Sequence, residues 1–272
     1  MSDRQTVTST LGFSELLDQR MEFFANDNSR DRMNVTQRTV EIENVRARAT
    51  PTSLEKEGFA LVPHKSAVTD FRDQDQVERI HPAEILALLQ QVSGADHVEV
   101  TGPPILRFSE RSNDSGALDN SRPARYVHVD ISDETGARFN AQSRAPEGRR
   151  ITRIARYNVW RVLTPPPQDV PLAVCESASV AREDLLPAWA MFDRDGEIVF
   201  SFEAWVLRYN PGQRWAYFAD MTPDEALVFK THDTDPSQPS HVPHGAFDDP
   251  SCPGGVPPRG SVEMRGVAYW YE

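Results

Sequence analysis

His128 and Asp130 stand two residues apart in the run Arg125-Tyr126-Val127-His128-Val129-Asp130-Ile131, where apolar Val127, Val129 and Ile131 alternate with the two polar residues. Side chains at i and i+2 of a strand share a face, so an imidazole and a carboxylate here project together from one side. Such a face does not suit an ordinary core, but it suits a metal ion, because the pair supplies two adjacent coordination positions and leaves a third to come from elsewhere. Spacing alone is weak support. Seven His and 22 Asp in 272 residues give about half a His-x-Asp by accident. The competing reading is a salt-bridged pair on the solvated face of an edge strand.

The third position has three later candidates, His232, His241 and His244. With any of them the set becomes the two-histidine, one-carboxylate facial arrangement of non-haem Fe(II) sites. His97-Val98-Glu99 has the same form but directly follows the end of a helix, which ranks it below His128 and Asp130. Arg259-x-Ser261 opens the last apolar run. A guanidinium fork matches a carboxylate, and a hydroxyl on the same strand face adds one more donor. Arg107-Phe108-Ser109 repeats that pattern upstream of every ligand candidate and is set aside as a decoy.

The elements that must position these residues are mostly short and β-rich. After Gly94 come HVEVT, ILRFS, RYVHVDIS, RIARYNVWRVL, EIVFSFEAWVLRY, RWAYF, ALVFKTH and SVEMRGVAYWY, separated by Pro, Gly, Asp and Ser clusters. Eight such runs predict a β-sandwich or barrel, mainly β with flanking helices. Asn210-Pro211-Gly212-Gln213 reads as a type II turn closing a hairpin over 198–218, and Thr222-Pro223-Asp224-Glu225 has the form of a capping box opening a short helix. Before Gly94 the chain reads as more helical. Residues 1–12 are expected to be a flexible tail, and Phe13, Leu16, Leu17, Met21 and Phe24 recur at helical spacing. Residues 58–63 read as a strand, and Val40, Ile42 and Val45 hint at another extended piece. His81-Pro82 opens a helix with Ile85, Leu86, Leu89 and Val92 on one face and Gly94 as its C-cap. The expected organisation is one domain over 13–272, helical to about residue 95, with a β core from about 96 to 272.

A formal net charge of −12 argues against a broad nucleic-acid surface. No stretch reaches membrane-spanning length, and the polar opening residues lack the apolar core of a signal peptide, so the expected location is cytoplasmic. Cys175 and Cys252 are far apart and read as free thiols. Phosphate loops, His-Glu-x-x-His and Gly-x-Ser-x-Gly are absent from the sequence.

Taken in order, the segments resemble one branch of the Fe(II)/2-oxoglutarate oxygenases, the group containing fungal secondary-metabolite hydroxylases and desaturases with gibberellin desaturase-like and cephem methoxylase-like proteins. The resemblance is carried by Gly58-Phe59, Gly94-Ala95, YVHVD at 126–130, NVWR at 158–161, RWAYF followed by Met221 and Glu225, FKTHD at 229–233, HGAFDDP at 244–250 and PPRGSVEMR at 257–265. It implies a double-stranded β-helix, or jelly-roll, with His128, Asp130 and His244 on Fe(II). It also implies that Arg259 and Ser261 hold the far carboxylate of 2-oxoglutarate, and that Asn158 and Arg161 lie near the substrate. Dioxygen would be consumed, 2-oxoglutarate would leave as succinate and carbon dioxide, and an unactivated carbon of a small-molecule metabolite would be hydroxylated or desaturated. The sequence departs from the family pattern at Gly245 (Thr expected), Gly260 (Glu expected) and His232 (Tyr expected). Two alternatives remain open on the residues: a cupin-like metal enzyme that needs no 2-oxoglutarate, and a non-catalytic small-molecule-binding jelly-roll. A homodimer is expected on general frequency alone.

Overall fold

A computed structural model of the chain describes residues 5–118, 120–194 and 196–272. Fourteen strands and two α-helices follow one another as β1 (6–15), β2 (21–24), β3 (34–44), β4 (59–63), α1 (74–93), β5 (97–108), β6 (128–129), α2 (133–140), β7 (151–162), β8 (172–175), β9 (185–194), β10 (197–207), β11 (215–217), β12 (225–233), β13 (244–246) and β14 (260–271). They form a nine-stranded sheet ordered β1-β3-β11-β8-β13-β6-β10-β9-β2 and a five-stranded sheet ordered β4-β12-β7-β14-β5. The architecture is a jelly-roll, as the β-rich second half of the sequence predicts.

Strands β4, β7 and β12 of the smaller sheet serve two cores because their side chains alternate. Phe59, Trp160, Val162, Leu227 and Phe229 point between the sheets and meet Val174, Ala216 and Phe218 of the larger one. Ala155, Tyr157, Val159, Ala226, Val228 and Met264 point the other way and are covered by Ile85, Leu88 and Leu89 of α1. Removing these apolar surfaces from water is the main force holding the sheets and the helix together. On the far side of the larger sheet, Val7, Leu11, Phe13 and Ile42 from β1 and β3 cover Val127, Val129 and Ala173. Gly12 makes that closure possible. A Cβ there would lie 2.5 Å from the Arg125 carbonyl oxygen, and the Val127 amide donates to the Gly12 carbonyl at 2.8 Å.

The N-terminal third departs from the helical expectation. Residues 6–12, assigned to a tail, form most of β1, and residues 1–4 lie outside the described residues. Phe13, Met21 and Phe24 are buried, but in β1 and β2 rather than on a helix. Ten residue pairs join β1 to β3, and this partner decides the conformation of a Thr- and Ser-rich run with weak helix propensity. Helix α1 begins at Gln74, where the Asp73 side chain caps it by accepting from the Gln76 amide, so Pro82 falls inside the helix. Gly94 is the left-handed C-cap. The segment 198–218 is not a hairpin: β10 pairs with β9 and β6, while β11 pairs with β3 and β8. Thr222 and Glu225 do bond to one another, but as a turn leading straight into β12. Helix α2 was not anticipated. It is capped by Ser132, whose hydroxyl accepts from the Thr135 amide.

Candidate metal and co-substrate site

His128 and His244 are direct partners across the β6–β13 pairing, with ring centroids 4.3 Å apart. Each ring is fixed in the same way. The Nδ1 of His128 lies 3.2 Å from the Tyr126 carbonyl and that of His244 lies 3.2 Å from the Val242 carbonyl. A carbonyl can only accept, so Nδ1 carries the proton and the Nε2 lone pair is directed away from the backbone. Both Nε2 atoms converge on Asp130, at 3.5 Å and 3.8 Å from Oδ1. Burial, followed by the neighbouring His128, pushes the His244 pKa down to about 3, so this ring is neutral and able to donate its lone pair. His128, Asp130 and His244 are the one group of three potential ligands found among the described residues, their donor atoms all within 4.8 Å of one another.

Asp130 is held so that one oxygen faces the imidazoles. Its Oδ2 accepts from Asn158 Nδ2 at 2.6 Å and lies 3.3 Å from Arg265 Nε, leaving Oδ1 to the histidines. Burial by itself would raise the carboxyl's pKa. The Arg265 guanidinium, foremost among its neighbours, counters burial, and the carboxyl is held well below the usual range. Two imidazole nitrogens and one ionised oxygen, each oriented by a second partner, fit a divalent transition metal with part of its coordination sphere open.

Arg259 reaches the same interior from the start of β14. It is 2% exposed; its Nε donates to the Val170 carbonyl at 2.8 Å, and its Nη1 donates to the Arg107 carbonyl at 3.2 Å and contacts the Ser261 hydroxyl. Burial, and next Arg107, lower the Arg259 pKa to about 10, so the side chain is still a cation at neutral pH. One narrow cavity of about 20 Å³ touches His128, His244, Trp160, Glu263 and Arg259. A five-carbon dicarboxylate is larger than that, so lining side chains must move aside to admit it. A second cavity of about 50 Å³ shares Arg107 and His128 with the first and continues past Asp130 and Arg265 to Phe23, Phe192 and Phe202.

The remaining candidates separate cleanly. Asn158 faces Asp130 and supports the carboxylate. Arg161 does not belong to this interior: three residues from Asn158 on β7, it leaves the opposite face of the strand and lines a different cavity. His241 is paired with Asp133 at 2.7 Å, and His232 packs against Gly136. His97 and Glu99 form an exposed pair 3.4 Å apart. Arg107, set aside with its decoy motif, in fact borders both interior cavities, because Arg107 pairs with Ser261 across the β5–β14 register. Glu263 and Arg265 were missed, although the alternation 259, 261, 263, 265 along β14 already places them on the face of Arg259. At Gly245, where Thr was expected, a Cβ would lie 3.1 Å from Val127 Cγ1, and glycine lets β13 lie close to β6.

A jelly-roll enclosing two imidazoles and one carboxylate, with a buried arginine further along the same interior, has the donor set of a mononuclear non-haem metal enzyme. The family described as oxidoreductase/YMDC permease-like domain matches residues 14–269. The hydroxylase/desaturase CTB9 of Cercospora beticola is 31% identical over 86% of this chain and 76% of its own length. The hydroxylase/desaturase efuI of Hormonema carpetanum is 30% identical over 88% and 86%. Among solved structures, the iron and alpha-ketoglutarate-dependent endoperoxidase NvfI superposes with a TM-score of 0.80 at 24% identity, covering 100% of both chains, a likeness of fold. The chain belongs to the hydroxylase/desaturase family of Fe(II)/2-oxoglutarate-dependent oxygenases.

Proposed function

We propose that the protein oxidises an unactivated carbon of a small-molecule metabolite, by hydroxylation or desaturation, with His128, Asp130 and His244 holding Fe(II) and Arg259 and Ser261 holding 2-oxoglutarate. The observation that carries this reading is the convergence of both histidine Nε2 atoms on Asp130 Oδ1, in a cavity that also reaches Arg259. Bound there, Fe(II) with dioxygen and 2-oxoglutarate supplies the oxidising power for C–H cleavage, and the co-substrate leaves as succinate and carbon dioxide. The protein's own contribution is positioning. Asn158 and Arg265 restrict Asp130 to one ligating oxygen. The Arg259 guanidinium offers a buried fork for the distal carboxylate, and Ser261 adds a hydroxyl beside it. Phe23, Phe192 and Phe202 line the far end of the second cavity, where an apolar part of the substrate would displace water.

Supporting a cytoplasmic setting, both cysteines are free thiols, and no described helix is long and apolar enough to cross a membrane. The acidic net charge of −12 disfavours nucleic acid as a partner.

Anaerobic addition of Fe(II) and then 2-oxoglutarate to the apoprotein should produce a weak visible metal-to-ligand charge-transfer band. In Arg259→Ala the band should require roughly 30-fold or more co-substrate, the loss expected when one partner of a buried charged pair is removed. Iron binding without a band would favour a cupin-like enzyme, and absence of iron binding would favour a non-catalytic binding protein.

A further inference from the structure

The smaller sheet carries another buried cation, Arg161, on the face turned away from His128. Arg161 is 1% exposed. Its Nη2 contacts Nδ1 of His64, while its Nε and Nη1 have no hydrogen-bond partner, and the buried hydroxyl of Thr164 three residues on has none either. Among the described residues no carboxylate comes within ion-pair distance of this guanidinium. Glu84, the acid that acts on it most strongly, is already engaged by the Ala67 amide and the Ser66 hydroxyl, both at 2.6 Å. A guanidinium keeps its proton even when buried, and a buried charge without a partner is costly. Arg161 and Thr164 both line a cavity of about 400 Å³ whose walls include Phe71, Leu106 and Leu163. That volume falls in the range of small-molecule sites, and the apolar part of its wall adjoins the polar group of Arg161 and Thr164.

We propose that this cavity binds a small amphipathic monocarboxylate, its carboxylate held by the Arg161 guanidinium and the Thr164 hydroxyl and its apolar body against Phe71, Leu106 and Leu163. The fork of Arg donors matches a planar carboxylate. Asp70, Asp224 and Arg72 also line the cavity, and Arg72 is already paired with Asp114, so Arg161 is the lining cation left without a carboxylate among the described residues. The site is separate from the one at Arg259. Gly260 lines this cavity, whereas Arg259 borders the interior one, so the two lie back to back across the sheet.

Hexanoate and its uncharged counterpart hexanamide test the assignment by calorimetry and thermal shift on anaerobic, iron-loaded protein saturated with 2-oxoglutarate. Hexanoate should bind saturably and hexanamide should not. Arg161→Met should weaken hexanoate about ten-fold or more, the loss of a charge-assisted hydrogen bond. Thr164→Val, a milder change at the cavity edge that keeps the arginine, should weaken it about five-fold. Hexanoate held at Arg259 instead would survive Arg161→Met unchanged, which overturns the proposal without touching the reading of the metal site. Equal binding of hexanamide, or no saturable binding of hexanoate to the wild type, overturns it as well.

Discussion

Two sets of two histidines and one aspartate invite comparison: His128, Asp130 and His244, whose donor atoms converge, and His232, His241 and Asp133, of which only the last two are paired. They share a composition and differ in support. In the first, both rings are pinned through Nδ1 to backbone carbonyls of adjacent paired strands, and both Nε2 atoms face one oxygen of a buried carboxylate. In the second, His241 Nε2 lies 2.7 Å from Asp133 Oδ1 in a pair whose side chains are 18% and 48% exposed. His232 stands apart from that pair, its Nδ1 buried without a partner and its ring packed on Gly136. Burial, and after it the neighbouring His241, push the His232 pKa down, so this ring too is neutral. Among the described residues, only the first set brings its donor atoms within 4.8 Å of one another. The donor lone pairs must be aimed at one point, and the carboxylate must be held by something else.

The largest effect should come from exchanging the aspartates in this comparison. Asp130→Ala should abolish iron binding and reduce turnover to background, while Asp133→Ala should leave both near wild type; iron titration and succinate release measure the two. Removing support rather than a ligand should cost less. Asn158→Ala frees Asp130 Oδ2 and should weaken iron roughly 10- to 100-fold, the usual effect of losing a group that orients a metal ligand, with the fold intact by circular dichroism.

Changes in the second set should be read in stability alone. In Gly136→Ala the new Cβ would lie 2.4 Å from His232 Cδ2. Overpacking of about 1–3 kcal/mol should exceed the gain in helix propensity, giving a lower denaturation midpoint and unchanged iron affinity. His241→Ala removes a partly exposed contact with Asp133 and should shift stability by less than about 1 kcal/mol. A loss of iron in either variant would mean that the two sets are coupled.

The proposed ligands were legible early because their signals are local. Alternation around His128 and Asp130 needs only a strand, and Val127 and Val129 do lie on the opposite face, in the core beneath β1. The strand rule also separates Asn158 from Arg161, since residues three apart on β7 point to opposite faces, and it places Glu263 and Arg265 beside Arg259. Local pattern did less well before residue 58. There Phe13, Met21 and Phe24 are buried by pairing with β3 and β9, partners that their own spacing does not reveal.

The sequence by itself determined a mainly β fold, the strand carrying His128 and Asp130, and the Arg259-x-Ser261 pair. Spacing leaves three later histidines open and the family resemblance points to His244; the tertiary structure brings β13 beside β6 so that His244 faces His128. It also joined Arg107 to Arg259, across β5 and β14. The reason is physical: side-chain direction along a strand follows from backbone geometry within a few residues. Which strands become neighbours depends on burying apolar faces contributed by segments far apart in the chain.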